Sequence, residues 1–223
     1  MKTVYICGDS FSATDPEYGE SWTEMIESLL RDKARVVNLS IVAASNLLVS
    51  IQAGAAVSND ADFVIVNCTA VTRSELAREP LVLSGSLMDR FIRKDLISFS
   101  IMRPYRSHLT DSQCELIKRY HTEFFDLPLA IYKDSCIIAN MLYTLEKSRI
   151  PYIFDQGGFE HASFGGEKDR YFTDYDHRRS SINLWDYGST QDERPYYHIK
   201  EAATHRRIAE YYYAEIMKVF DAQ

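Results

Sequence analysis

Cysteine is scarce in this chain: Cys7, Cys68, Cys114 and Cys136 are spread along 223 residues, and no two of them form a Cys-x-x-Cys pair. Two of the four lie in apolar runs, where a thiol behaves as a small hydrophobe, so all four read as reduced thiols and none as a metal ligand. Basic charge is in deficit, with 25 Lys and Arg against 32 Asp and Glu and a net charge of -7. A phosphate-backbone binder needs clustered cations to displace counterions, so no nucleic-acid partner is expected, and His177-Arg178-Arg179 reads as a solvated loop. Long apolar runs are missing too. None reaches the ~18 residues of a membrane span, and Met1-Lys2 leads straight into a strand-like segment where a secretory leader would carry its apolar region. The expectation is a protein cytoplasmic as synthesised, with no membrane partner; release by lysis or association with a virion stays open.

What is present is ordinary globular material, 46% hydrophobic and 26% charged. The length suits one domain with a continuous core and is short for two, so residues 1–223 are expected to form a single domain. Strand and helix signals alternate along it. Strands are expected at residues 3–7, 34–39, 62–68 and 150–155, with a last short one at 181–186. Apolar residues recur at helical spacing over 21–30, 45–57, 111–125, 128–147 and 199–220, and Ser45 can cap the second of these helices. Residues 72–108 have irregular signals and read as an insertion with short helical pieces. Repeated strand-helix-strand units imply crossovers on both faces of a parallel sheet. The expected fold is therefore α/β, a three-layer α/β/α sandwich around a parallel, flavodoxin-like sheet, with a site beyond the carboxyl ends of its strands.

The stretch that carries chemistry is Thr3-Val4-Tyr5-Ile6-Cys7-Gly8-Asp9-Ser10-Phe11-Ser12, an apolar strand ending in a turn that can present the Ser10 hydroxyl at a cleft. By itself Gly-Asp-Ser is also an ordinary turn, since Gly tolerates unusual dihedrals and Asp and Ser bond nearby backbone. Near the other end stand Asp192-Glu193-Arg194-Pro195-Tyr196-Tyr197-His198 and then His205, Ile208 and Ala209. The first loop lacks the glycine spacing of a phosphate cradle, which argues against a flavodoxin-like nucleotide binder. His108, His121, His161 and His177 show no metal-ligand spacing, and no cofactor is expected.

In order along nearly the whole chain, these segments resemble the SGNH hydrolases, also called GDSL-like esterases. Ser21-Trp22, Asn38-Leu39, Ser45-Asn46 and Arg73-Ser74-Glu75 look more narrowly like SGNH-like proteins of bacteriophages. The resemblance implies Ser10 as nucleophile and His198 as its base. The position three before His198 is Pro195, which cannot orient an imidazole, so the carboxylate would be Asp192, with Glu193 and Asp186 as alternatives. The oxyanion hole would draw on the backbone of Ser10 and of Ala43, which stands where the family has glycine. The family's Gly-x-Asn-Asp motif is absent after the third strand; Asn67 or Thr69 would supply the third donor, although an Asn inside a strand is as easily structural.

Two functions follow from that resemblance. One is a serine esterase that hydrolyses a small ester or removes acetyl groups from a carbohydrate through an acyl-enzyme on Ser10. The other is an SGNH-fold binding or structural protein, such as a virion component, whose oxyanion machinery has decayed. His205, more than a turn past the start of the last helix, reads as a packing or capping residue. The late aromatic residues, Tyr171 to Tyr197, read equally as a sugar platform or as a loop packed on itself.

Overall fold

The structure is a computed structural model that describes residues 1–14, 20–77, 96–100, 109–159, 173–187, 199 and 201–222. Four strands form one parallel sheet: β1 (Lys2–Cys7), β2 (Ala34–Asn38), β3 (Phe63–Asn67) and β6 (Tyr152–Asp155), in the order β2-β1-β3-β6. Val4 lies opposite Val36 on one side and Phe63 on the other, and Val64 opposite Tyr152. The continuous apolar character of β1 and β3 is what two covered faces require. Both strands are buried at their centres: Val4, Ile6, Val64, Ile65 and Val66 are wholly inaccessible.

Five helices flank the sheet among the described residues: α1 (Trp22–Leu30), α2 (Asn46–Ser58), α3 (Asp111–Glu123), α4 (Leu127–Lys147) and α5 (Ala202–Phe220). Their starts are written locally. Ser21 and Glu24 form a capping box on α1, the Ser45 hydroxyl accepts from Leu48 N–H at the start of α2, and Asp126 followed by Pro128 opens α4. α1 and α5 pack together over one face, burying Trp22, Ile26, Leu30, Ile208, Tyr212 and Ile216. α2 and α4 cover the other, burying Leu48, Val49, Ile138, Met141 and Leu142. The result is the three-layer α/β/α arrangement expected from the alternation of elements.

Two expectations need correction. Residues 181–186 do not add a strand: Leu184–Tyr187 is a turn of 3-10 helix, and among the described residues the outer edge of β6 receives an isolated bridge from Phe154 to Arg179. Side-chain acceptors take the backbone there, with Leu184 N–H on Asp155 Oδ2 and Trp185 N–H on Asn183 Oδ1, so the ladder has no donors to recruit. The described part of the 72–108 insertion is strand: β4 (Arg73–Ala77) pairs antiparallel with β5 (Leu96–Ser100). Ile97 and Phe99 favour that pleated pairing over a helical piece. The rest of the insertion lies outside the described residues.

Candidate active site

The order β2-β1-β3-β6 reverses direction between β1 and β3, and open α/β sheets form their clefts at that switch point. Gly8-Asp9-Ser10 leaves β1 there. Its geometry is set by hydrogen bonds back to Asp9: Ser12 and Ala13 N–H donate to Asp9 O at 3.0 and 2.8 Å, and Phe11 N–H to Asp9 Oδ1 at 2.9 Å. Gly8 is sterically required, since a Cβ would stand 2.9 Å from Ser12 Oγ and 3.1 Å from Asn67 Cβ. The Gly8 peptide is clasped by Gln52 of α2, whose Oε1 accepts from Gly8 N–H at 2.7 Å and whose Nε2 donates to Gly8 O at 3.2 Å. Ser10 itself is 5% exposed and makes no hydrogen bond to any described residue, through its amide or its hydroxyl.

The loop after β3 runs alongside. Asn67 Nδ2 donates to Ser12 Oγ at 2.7 Å, and Asn67 Oδ1 accepts from the Tyr212 hydroxyl at 3.1 Å. Thr69 has both donors committed, its hydroxyl to Asp9 Oδ2 at 2.7 Å and its amide to Asn46 Oδ1 at 2.8 Å. Asn46 returns a bond to Thr69 O and another, at 2.8 Å, to Asp134 Oδ2. Burial pushes the Asp134 carboxyl up to about 6 against the Asn46 bond and the nearby Lys133, which favour its charged form. Burial likewise pushes Glu75 of β4 up to about 7, and its Oε1 is buried without a partner.

Arg73 completes this wall. Its Nη1 lies 2.7 Å from Asp9 Oδ2 and 3.2 Å from Ala44 O, and its guanidinium sits 5.9 Å from the centre of the Trp185 ring. Trp185 in turn stacks on Phe11 at 5.0 Å and presses on Gly158, where a Cβ would come within 2.3 Å of the indole.

Ala43 sits in the β2–α2 loop with φ of +61°, at the third position of a turn closed by Ala44 N–H to Ile41 O at 3.0 Å. A positive φ at that position is the type II requirement that normally selects Gly or Asn. The alanine thus holds a backbone angle that glycine adopts without strain. Ser10, Ala43 and Thr69 lie in the loops that leave β1, β2 and β3 at one sheet edge, and Asn67 is the last residue of β3. His198 and Asp192 lie outside the described residues, as does Glu193. Asp186 is described, on the 3-10 turn after β6.

His205 is fully occupied elsewhere. Its Nδ1 accepts from Trp22 N–H at 3.1 Å, and its Nε2 donates to Ile199 O at 2.9 Å. The ring therefore caps α1 while tying down the chain one residue after His198, and burial lowers its pKa. Gln52, Asp9 and Arg73 went unrecognised in the sequence. Gln52 alone had a signal, a single amide inside the apolar run of α2; the reach of Arg73 across two loops has none. No group of three His, Cys, Asp or Glu side chains that could hold a metal occurs among the described residues, and no described helix is long and apolar enough to cross a membrane.

No family model matches the sequence, and no curated protein sequence matches it. Solved structures do. The chain is similar to the psychrotrophic esterase EstA from Pseudoalteromonas sp., in a structure inhibited by monoethylphosphonate, with TM-score 0.55 at 10% identity over 99% of this chain and 100% of that one. It is similar to the acetyl xylan esterase AlAXEase with TM-score 0.51 at 12% identity, over 96% of this chain and 98% of that one. A protein assigned to the G-D-S-L family from Desulfitobacterium hafniense DCB-2 gives TM-score 0.50 at 12% identity, over 96% of this chain and 99% of that one. With a serine loop at the switch point of a 2-1-3-6 parallel sheet and full-length likeness to these esterases, the chain carries the α/β/α fold of the SGNH, or GDSL, hydrolases.

Proposed function

We propose that the protein is a serine ester hydrolase acting through an acyl-enzyme on Ser10. The observation that carries this reading is the state of Ser10: a buried serine at the switch point, braced on both sides, whose hydroxyl and amide are bonded to no described residue. A structural turn serine spends those groups on neighbouring backbone; a nucleophile keeps its hydroxyl for its base and its amide for the developing oxyanion. In the proposed reaction His198 takes the Ser10 proton as Oγ attacks the ester carbonyl, and Asp192 holds the imidazole in the tautomer that accepts it. The Ser10 and Ala43 amides, with the remaining N–H of Asn67, face the negative charge that develops on the carbonyl oxygen. The alkoxide leaves with the proton from His198, and water repeats the sequence to release the acid. The substrate class is a small ester, or an acetyl group on a carbohydrate; the likeness to an acetyl xylan esterase supports the second.

A second reading is favoured by one observation. Thr69 has no donor left, and Asn67, buried and bonded at both ends of its amide, is held as a structural residue would be. On that reading the fold persists as a binding or structural protein, such as a virion or assembly component. Fluorophosphonate labelling with p-nitrophenyl acetate turnover decides between them. Labelling at Ser10 that is abolished by Ser10→Ala supports the hydrolase; a wild-type protein that is neither labelled nor active leaves only the second reading.

A further inference from the structure

The surroundings of Ser10 are short of donors among the described residues. Both Thr69 donors and one Asn67 N–H are committed to protein acceptors, so the backbone amides would face a developing oxyanion with little help from β3. A cation lies in the same place. Arg73 is located by three contacts, each to a residue bordering the proposed catalytic atoms. Asp9 precedes Ser10, Ala44 follows Ala43, and Trp185 stacks on Phe11, which follows Ser10. The guanidinium therefore spans the gap between the serine loop and the Ala43 loop. Its side chain is only 9% exposed, and a single nitrogen, Nη1, makes all its hydrogen bonds; Nε and Nη2 donate to no described residue.

We propose that Arg73 is a catalytic residue of the Ser10 site, its unspent guanidinium N–H groups stabilising the oxyanion in place of a neutral amide donor; this rests on the hydrolase reading above. When Ser10 Oγ bonds to the carbonyl carbon, the carbonyl π pair moves onto oxygen and the serine proton moves to His198. The charge so formed lies between the Ser10 and Ala43 amides and Arg73. Collapse returns the pair to the carbonyl, and the leaving alkoxide takes the proton. A charged donor in a water-poor site interacts more strongly with that oxygen than a neutral one. Asp9 Oδ2 and Ala44 O hold the planar fork by Nη1 alone, which leaves its Nε and Nη2 groups pre-oriented.

The experiment compares wild type, Arg73→Gln and Arg73→Lys by the rate of Ser10 phosphonylation with a fluorophosphonate and by p-nitrophenyl acetate kinetics, with thermal unfolding measured alongside. Arg73→Gln is expected to lose about 100-fold in kcat and in labelling rate, with KM changed only a few-fold. Arg73→Lys keeps a cation for Asp9, so it is the variant expected to fold as wild type; its labelling rate should still fall at least about tenfold, because an ammonium lacks the planar fork. Added methylguanidine should partly restore Arg73→Gln. A folded Arg73→Lys labelled at the wild-type rate, or an Arg73→Gln whose loss matches only its unfolded fraction, overturns the role of Arg73 and leaves Ser10 standing. A wild type that is never labelled at Ser10 overturns both.

Discussion

On one face of the sheet, α1 and α5 close over Trp22, Phe63 and Tyr212, with Trp22 and Tyr212 tilted against each other at 5.0 Å. On the other, α2 and α4 bury Ser45, Asn46, Gln52, Asp134 and Ser135 among their apolar residues. Both faces hold the same serine loop. The first does so mainly by excluded apolar area, finished with the indole N–H to Phe11 O at 2.8 Å and the Tyr212 hydroxyl to Asn67 Oδ1 at 3.1 Å. The second uses a hydrogen-bonded chain, Asp134 to Asn46 to Thr69 to Asp9, with Gln52 on Gly8. Apolar burial is indifferent to pH, whereas the hydrogen-bonded chain contains a carboxyl, Asp134, that burial raises to about 6. The comparison teaches that one cleft can be braced by two kinds of force with different dependence on conditions.

The largest effect should come from the apolar face. Trp22→Ala removes a wholly buried side chain and its bond to Phe11 O, and is expected to cost about 3–5 kcal/mol in urea unfolding, with little change between pH 5 and pH 8. A strong pH dependence of that loss would break the contrast between the faces.

Next comes Asp134. Its folded pKa, about 6, lies above its ordinary carboxylate value, so the folded state binds the extra proton. The stability this contributes is complete below about pH 4 and is lost as pH rises through about 6. Asp134→Asn keeps the acceptor for Asn46 without the buried charge. It should be close to neutral at pH 4 and more stable than wild type at pH 8 by on the order of 2 kcal/mol, measured by chemical denaturation across that range. Glu75 has the same sign, with its window ending near pH 7.

His205, on the aromatic face, has the opposite sign. Its folded pKa is lowered, so the neutral ring contributes stability that is present above the ordinary histidine pKa and lost as pH falls below it. His205→Ala should cost about 1–2 kcal/mol at pH 8, for two hydrogen bonds, and markedly less at pH 5. Equal losses at both pH values would show that the ring is not held neutral. The smallest effect is expected at Ala43. Relief of its positive φ and the greater freedom of an unfolded glycine oppose each other, so Ala43→Gly should change stability by less than about 1 kcal/mol, while Ala43→Val should destabilise clearly.

Much of the fold was legible because its signals are local. Ser21 with Glu24 and Ser45 before an apolar run announce helix starts, and Val64-Ile65-Val66 can only be a strand buried on both faces. Residues 181–186 misled because their alternation was real but Asp155, some thirty residues earlier, captures the Leu184 amide. The insertion misled because its pairing is not local: Arg73 pairs with Ser100 and Ala77 with Leu96. In the proposed site, the Gly8-Asp9-Ser10 turn after β1 was legible, and Ser10 became a candidate only through the family resemblance. The commitments of Asn67 and Thr69 were not, since they depend on Tyr212 and Asn46, which meet them only after folding.

The bond from Tyr212 to Asn67 spans 145 positions of sequence. A ribosome extending this polypeptide delivers β1, β2 and β3 long before the tyrosine that holds the end of β3 emerges. Until then Asn67 Oδ1 must find water or a surrogate donor, and α1 has no partner across its inner stripe. Formation of the serine loop's final surroundings thus waits for α5, and shortened nascent chains that lack α5 should show none of the Ser10 labelling proposed for the folded protein.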